Sequence, residues 1–217
     1  MITIPYDEAV AYWRDEGFVT TPRLARPVWT NFFRQEKLPE SFYFDSKQDT
    51  RNVIFSEERV PLGEYLTDIR MAFDFEFLAD EYPQDLVVFF ESNYDRKPPF
   101  VALLMQRPDG QEIEIDSFKA TNQLTYSLER GQINTIGIIN RSGLTPIQEA
   151  FGDPREDYIK PLKGQYTLQV LSVVFEEGSD VEVEATLHGK VYGLFGTDNQ
   201  RRDLTIAMLW GTPVALT

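Results

Sequence analysis

Residues 69–77 alternate apolar and polar side chains, and this pattern constrains the fold more than any other feature of the sequence. The apolar side chains of one parity are Ile69, Met71, Phe73, Phe75 and Phe77. The other parity includes Arg70, Asp74 and Glu76. Successive side chains of a β-strand point to opposite faces, so the segment predicts a strand with one buried and one wet face. Antiparallel sheets accommodate such strands, because one of their faces can meet water.

Other segments carry the same signal, either as alternation or as short apolar runs. They span residues 42–45, 53–55, 86–91, 100–106, 111–116, 124–128, 165–175 and 180–189. Asp109-Gly110 predicts a tight hairpin, because this dipeptide adopts the positive φ angles of hairpin turns. Residues 176–179 predict a further hairpin between the last two strands. By alternation, His188 lies on the polar face of the last strand.

Many short strands separated by turn signals predict a mainly β chain folded as an antiparallel β-sandwich, jelly-roll-like in type. Short peripheral helices are predicted over residues 5–17, over 145–151 and at the C-terminus. Residues 133–139 fit either a strand or a helix. We treat the chain as a single domain, with an entry segment over 1–40, the sandwich over 41–193 and a closing stretch over 194–217.

Composition excludes several classes of function. A formal net charge of −14 argues against nucleic-acid binding, which needs clustered Lys and Arg, and against docking of most of the chain on an anionic membrane. The sequence has no cysteine and one histidine, so disulfides, thiolate sites and multi-histidine metal sites are excluded. We find no phosphate-binding glycine loop and no nucleophile turn, and we predict no catalytic residue, cofactor or metal.

Aromatic residues cluster in the entry segment, where Pro22, Pro27 and Pro39 favour extended backbone. Tyr6, Trp13, Trp29 and Phe32 could form a contact surface on which a ligand stacks. The interpretation that we favour is structural, with these rings packing the entry segment onto the sheet.

The closing stretch begins with turn chemistry and then becomes apolar. Thr197 or Asp198 could cap a helix there, and no charged residue occurs from Leu204 to Thr217. A membrane span needs about 20 apolar residues, so the stretch fits the opening of a truncated membrane helix. The alternative is an amphipathic helix that packs Leu204, Ala207 and Met208 on a soluble core.

The order Gly196-Thr197-Asp198, Arg202-Asp203 and Gly211 resembles the entry to the second membrane helix of binding-protein-dependent ABC permeases. The dipeptide, oligopeptide and nickel permeases are the most similar subgroup, and the match covers about a tenth of the chain. Arg201 departs from their pattern, since those permeases usually carry glycine at this position.

The resemblance implies that this chain is the extracytoplasmic domain between the first and second membrane helices, with Met1 standing where the first helix was removed. It implies a non-catalytic role in docking a solute-binding protein or gating the delivery of a peptide, nickel or an oligosaccharide. The implied partners are that binding protein, a second permease subunit, ATPase subunits and the membrane. The implied location is the cell membrane, with the domain on its extracytoplasmic side.

Two other functions stay open. A free-standing β-sandwich that binds carbohydrate or another ligand would explain the aromatic content of 13%. A hydrolase would require a cleft holding a carboxylate pair with shifted pKa values. The permease interpretation requires that the two ends of the domain lie near each other, at one end of the sandwich.

Overall fold

The computed structural model describes residues 20–130 and 143–215, and the strands in these ranges form two antiparallel sheets. The four-stranded sheet has the order β1-β9-β4-β7 and the five-stranded sheet has the order β2-β3-β8-β5-β6. The strands are β1 (Phe42–Asp45), β2 (Val53–Pro61), β3 (Thr67–Phe77), β4 (Asp85–Asn93), β5 (Phe100–Gln106), β6 (Glu112–Lys119), β7 (Gln123–Ser127), β8 (Gly164–Val174) and β9 (Asp180–His188).

This topology is a jelly roll with β2 added at one edge. In a jelly roll, two Greek keys wind eight strands into two facing four-stranded sheets. Strands β1, β9, β4 and β7 form one of these sheets, and β3, β8, β5 and β6 form the other. The predicted antiparallel β-sandwich is therefore confirmed.

The core lies between the sheets and contains the apolar parity of β3. Ile69, Met71, Phe73, Phe75 and Phe77 are each at most 1% exposed. Phe44 of the facing sheet meets Phe73 and Phe75 with ring centroids 5.9 and 5.2 Å apart. Edge-to-face geometry at these distances adds to the free energy gained from burial. The half-buried strand predicted over 69–77 is confirmed, with bounds of Thr67–Phe77.

The two predicted hairpins have different outcomes. Strands β5 and β6 pair around Gly110, whose φ of 81° supplies the turn conformation. Strands β8 and β9 do not pair, because β8 lies in the five-stranded sheet and β9 in the four-stranded one. Their connecting loop crosses from one sheet to the other, so the predicted hairpin over 176–179 is wrong. Alternation identifies the buried face of a strand but not its partner.

The helices of the described ranges are short. Helix α1 (Pro146–Phe151) begins at Thr145, and the predicted capping box is present between Thr145 and Gln148. A 3-10 helix spans Val28–Phe33, and α2 spans Leu204–Ala215. None of these helices is long and apolar enough to cross a membrane. The helix predicted over 5–17 and the element predicted over 133–139 lie outside the described residues.

One end of the four-stranded sheet is buried on its outer face as well. His188 is 1% exposed and Thr186 is 1% exposed, although both point away from the core. Asp85, which pairs with His188 in the register of β4 and β9, is 5% exposed. The prediction that His188 lies on a wet face is therefore wrong. Arg201 belongs to the chain segment that follows the sandwich. Its guanidinium nitrogen Nη1 lies 3.3 Å from the ring nitrogen Nδ1 of His188.

Candidate functional site

The segments that precede and follow the sandwich lie side by side. We call residues 21–28 the entry strip and residues 190–203 the exit strip. The backbone N–H groups of Arg26 and Val28 donate to the carbonyl oxygens of Lys190 and Gly193, at 2.8 and 3.0 Å. The N–H of Leu24 donates to the carbonyl oxygen of Asp198 at 3.1 Å. Hydrogen bonds thus join the two strips along most of their length.

Gly196 and Thr197, the first two motif residues, hold the strips together. Gly196 has φ of 77°, and a β-carbon at this position would overlap the carbonyl oxygen of Ala25. The Thr197 hydroxyl is buried, donates to the Pro22 carbonyl at 2.7 Å and accepts from the Ala25 N–H at 2.9 Å. Residue types that permit close approach and paired hydrogen bonding therefore occur where the strips meet.

Asp198 and Arg202 close the turn that follows. The Asp198 carboxylate accepts from the N–H groups of Gln200 and Arg202 at 2.8 and 2.9 Å, and from the Arg202 guanidinium at 2.6 Å. Burial alone would raise the pKa of Asp198, but these hydrogen bonds and the adjacent positive charge hold it below its ordinary range. The contacts of this pair therefore stabilise a turn.

Asp203 is the residue that caps α2. Its carboxylate accepts a hydrogen bond of 2.8 Å from the N–H of Thr205, the second residue of the helix. The prediction that Thr197 or Asp198 caps this helix is therefore wrong. An aspartate directly before the apolar run is the usual N-cap signal, and the sequence contains it. Gly211, the last motif residue, lies within α2.

Arg201 occupies a left-handed backbone conformation with φ of 65°. Glycine adopts this conformation without steric cost, whereas other residues are strained in it by about 1–2 kcal/mol. The Arg201 side chain donates to the Thr21 carbonyl at 3.4 Å and meets His188. Burial lowers the pKa of its guanidinium. Arg201, the one residue that departs from the permease motif, therefore keeps a backbone conformation that suits glycine. Its side chain contacts the buried His188.

Over its described side chains, Leu204 to Leu209, helix α2 does not bury its apolar residues fully in the core. Leu204, Thr205, Ile206 and Ala207 are only partly buried, and Met208 and Leu209 are 50% and 47% exposed. Docking on the core required burial of Leu204, Ala207 and Met208. The described part of α2 is instead an uncharged apolar helix that emerges from the exit strip.

Aromatic side chains are exposed next to the exit strip. Trp29 is 55% exposed, Phe32 is 83% exposed and Phe33 is 78% exposed. The Trp29 indole N–H donates to the Leu194 carbonyl at 2.9 Å, and this hydrogen bond ties the ring to the exit strip. The expectation that Phe32 packs onto the sheet is wrong, and Tyr6 and Trp13 lie outside the described residues.

A shallow groove of about 460 Å³ runs beside these rings. Trp29 and Phe32 line one side of it, and Phe42, Phe77 and Leu78 lie among the residues of the sheet that complete it. Its lining is largely apolar, with few polar groups that would fix the orientation of a small ligand.

Catalytic chemistry has little support in the described ranges. No group of three His, Asp or Glu side chains in residues 20–130 and 143–215 is placed to hold a metal ion. The Asp153 carboxylate accepts two hydrogen bonds from the Arg155 guanidinium, at 3.0 and 2.8 Å. Glu149 is the described carboxylate whose pKa is raised, and burial is the cause.

No protein-family model and no curated protein matches this sequence. The solved structures that resemble the chain include three carbohydrate-binding modules. The first comes from work on the promiscuous specificity of modules of the β-sandwich superfamily. It is 5% identical, has a TM-score of 0.29, and the match covers 78% of this chain but only 62% of that one.

The second structure is TmCBM61 in complex with β-1,4-galactotriose, at 12% identity and a TM-score of 0.26 over 79% of this chain and 98% of that chain. The third is a module specific for non-crystalline cellulose, CBM28. It is 12% identical, with a TM-score of 0.29 over 80% of this chain and 97% of that one. At these TM-scores the resemblance carries no argument about a ligand of this chain.

Proposed function

We propose that this chain is the non-catalytic extracytoplasmic domain of an ABC importer permease, placed between its first and second membrane helices. In this role it docks a solute-binding protein or gates the delivery of substrate to the membrane subunits. The proposal rests on the resemblance of residues 196–211 to the permease motif. The placement of the domain on the extracytoplasmic side of the membrane comes from that resemblance alone. The geometry of the two strips supports it.

The supporting observation is the pairing of the entry strip with the exit strip. A domain inserted between two neighbouring membrane helices must receive and return the chain at nearly the same place. Hydrogen bonds from Leu24 to Asp198 and from Arg26 to Lys190 bring the two connections together. Three of the motif residues, Gly196, Thr197 and Asp198, contact the entry strip at this junction.

Helix α2 provides independent support. Leu204 to Leu209 form an uncharged helical segment in which Met208 and Leu209 are about half exposed, whereas Leu204 to Ala207 are partly buried. Apolar surface of this kind is stabilised in lipid, where a helix also satisfies its own backbone hydrogen bonds. We propose that α2 is the beginning of the second membrane helix.

Cysteine labelling tests the proposal, because these 217 residues contain no native cysteine. In cells that express the complete reading frame, with any cysteine outside these residues replaced by serine, Met208→Cys and Glu58→Cys are exposed to a membrane-impermeant maleimide. We expect Glu58→Cys, on exposed edge strand β2, to react in intact cells and Met208→Cys to stay protected even after permeabilisation. Equal labelling at both positions would refute a membrane location for α2. Labelling of Glu58→Cys only after permeabilisation would refute the extracytoplasmic side.

A second candidate is a carbohydrate-binding module, which the exposed rings of Trp29, Phe32 and Phe33 beside the groove favour. Calorimetric titration of the chain with soluble oligosaccharides tests this function, with Trp29→Ala as the variant and Tyr65→Ala as the matched control. Tyr65 is also exposed, at 56%, but does not line the groove. Binding that is lost in Trp29→Ala and kept in Tyr65→Ala would support this candidate; absence of any heat would reject it.

A further inference from the structure

An exposed apolar patch lies next to the start of α2. It consists of Trp29, Phe32, Phe33 and Leu194, and we call it the aromatic patch. The rings of Trp29 and Phe33 are 6.4 Å apart, and those of Phe32 and Phe33 are 5.3 Å apart. Leu194, 63% exposed, joins them through the hydrogen bond from the Trp29 indole. A contiguous exposed patch of this kind marks an interaction surface, whereas single exposed apolar residues do not.

The aromatic patch is continuous with the base of α2. Leu194 is followed by Phe195, which is 42% exposed, and then by Gly196. The carbonyl oxygen of Gly196 accepts a hydrogen bond of 3.0 Å from the N–H of Leu204, the first residue of α2. The first turn of the apolar helix and the group of exposed aromatic rings therefore lie next to each other on the surface of the domain.

The charge of the chain is unevenly distributed among its described segments. Residues 20–40, 76–81 and 188–204 contain the patch and segments hydrogen-bonded to its neighbours, and they hold seven Lys or Arg and seven Asp or Glu. Their net charge is zero, so the whole of the net −14 belongs to the rest of the chain. Arg23 and Arg26 are exposed here and provide positive charge for lipid phosphates.

The shape of the patch suits a bilayer better than a sugar. Trp29 and Phe33 meet at 84°, and Phe32 and Phe33 meet at 83°. Phe33 is thus almost perpendicular to both of its neighbours, so the three rings together do not form one flat surface. A bilayer interface has no fixed shape and accepts rings in any orientation, with tryptophan enriched at the level of the headgroups.

We propose that the aromatic patch inserts into the headgroup and upper acyl region of the bilayer, so that the domain rests on the membrane surface with the opposite end of the sandwich turned toward water. This inference rests on the proposed function, because it places the membrane at the base of α2. It adds that the domain itself contacts lipid and is held in a fixed orientation.

Tryptophan fluorescence tests this contact directly. The Trp13→Phe/Trp210→Phe double variant of the chain leaves Trp29 as the one tryptophan, since the chain has three. It is mixed with vesicles of equimolar phosphatidylcholine and phosphatidylglycerol, in which the phosphatidylcholine carries brominated acyl chains. We expect a blue shift and quenching of Trp29 emission. Adding Phe32→Ser/Phe33→Ser should weaken vesicle binding on the order of tenfold or more and remove the quenching, because two apolar rings no longer enter the bilayer.

Unquenched emission from Trp29 in vesicle-bound protein would overturn the proposal. A parallel variant, Met208→Ser/Leu209→Ser, separates it from the proposed function. If this variant still binds vesicles with Trp29 quenched while Met208→Cys reacts freely with aqueous maleimide, the patch contacts lipid and the proposed membrane helix fails. If Met208→Cys is protected and Trp29 stays unquenched, the membrane helix holds and the patch proposal fails. Oligosaccharide that shifts Trp29 emission where vesicles do not would also overturn it.

Discussion

The backbone of Gly196 packs so closely against the carbonyl oxygen of Ala25 that no β-carbon fits between them. The neighbouring N–H of Thr197 donates to the same oxygen at 3.0 Å. A glycine in the motif is thereby explained by a contact with a segment far away in sequence. The junction between the strips, more than the turn itself, requires it.

Substituting Gly196→Ala should destabilise the domain through this contact. Gly178→Ala is the matched control, because Gly178 has nearly the same φ, 76°, but nothing lies within 4 Å of an added β-carbon. Both variants incur the cost of a left-handed alanine, about 1 kcal/mol. We expect Gly196→Ala to lose about 2 kcal/mol more, since the strips must move apart. Urea denaturation measures both values, and equal losses would contradict the close contact.

Replacing Arg201 separates backbone strain from side-chain contact. Arg201→Ala and Arg201→Gly both remove the guanidinium from His188, but only alanine keeps a β-carbon at φ of 65°. We therefore expect the glycine variant to be more stable than the alanine variant by about 1 kcal/mol. At an ordinary helical position the order is reversed. Thermal and urea unfolding of the two variants measure the sign of the difference in their free energies of unfolding.

The depressed pKa of Asp198 predicts how the junction responds to acid. Burial opposes the depression, and hydrogen bonds from Arg202 and Gln200 outweigh it. A carboxylate whose pKa is lower in the folded state stabilises the fold above its unfolded pKa, about 3.9, and loses this contribution as the pH falls through its folded pKa. Asp198→Asn should thus lower the free energy of unfolding at pH 7.

The difference between Asp198→Asn and the parent chain should begin to narrow below about pH 4, where the carboxyl group of the unfolded state takes up its proton. It should vanish only below the lower folded-state pKa, where the folded carboxyl group is uncharged as well. Glu58→Gln, on exposed edge strand β2, serves as the control. Free energies of unfolding measured by urea titration at several pH values test this. A difference that stays constant down to acidic pH would show that the carboxylate charge is not involved.

Removing the aromatic patch should leave the fold intact. Phe32 and Phe33 are exposed, so we expect Phe32→Ser/Phe33→Ser to change the free energy of unfolding by less than about 1 kcal/mol. Phe73→Ala, at 0% exposure between the sheets, should cost about 3–5 kcal/mol. Circular dichroism during urea unfolding compares them. A large loss in the double variant would indicate that the rings support the fold and are not a contact surface.

Period-two alternation predicts the strands and their buried faces well, because it reports burial directly. It correctly places every second residue from Ile69 to Phe77 on the core face, and Asp109-Gly110 predicts the turn at Gly110. It does not assign partners to β8 and β9, since both strands look alike whichever sheet they join. The burial of His188 also escapes prediction, because it depends on Arg201 crossing the outer face of the sheet.

The candidate site is predictable in part. The motif residues stand out in the sequence, but their contacts with the entry strip involve residues about 170 positions away, and local pattern carries no information at that separation. Asp203 is a recognisable helix cap, although Thr197 and Asp198 carry the same chemistry and compete with it in the sequence. Phe32 is predicted as an anchor because aromatic residues are usually buried, whereas this one lies on an outer surface beyond the edge of the core.

The pairing of the entry and exit strips has a mechanical consequence. A force that pulls the two connections apart acts first on the hydrogen bonds of Leu24, Ala25 and Arg26 with the exit strip, before any strand of the sandwich is loaded. The hydrogen bonds between the two strips therefore bear this tension before it reaches the jelly roll. While these hydrogen bonds hold, the nine strands of the described ranges stay undisturbed.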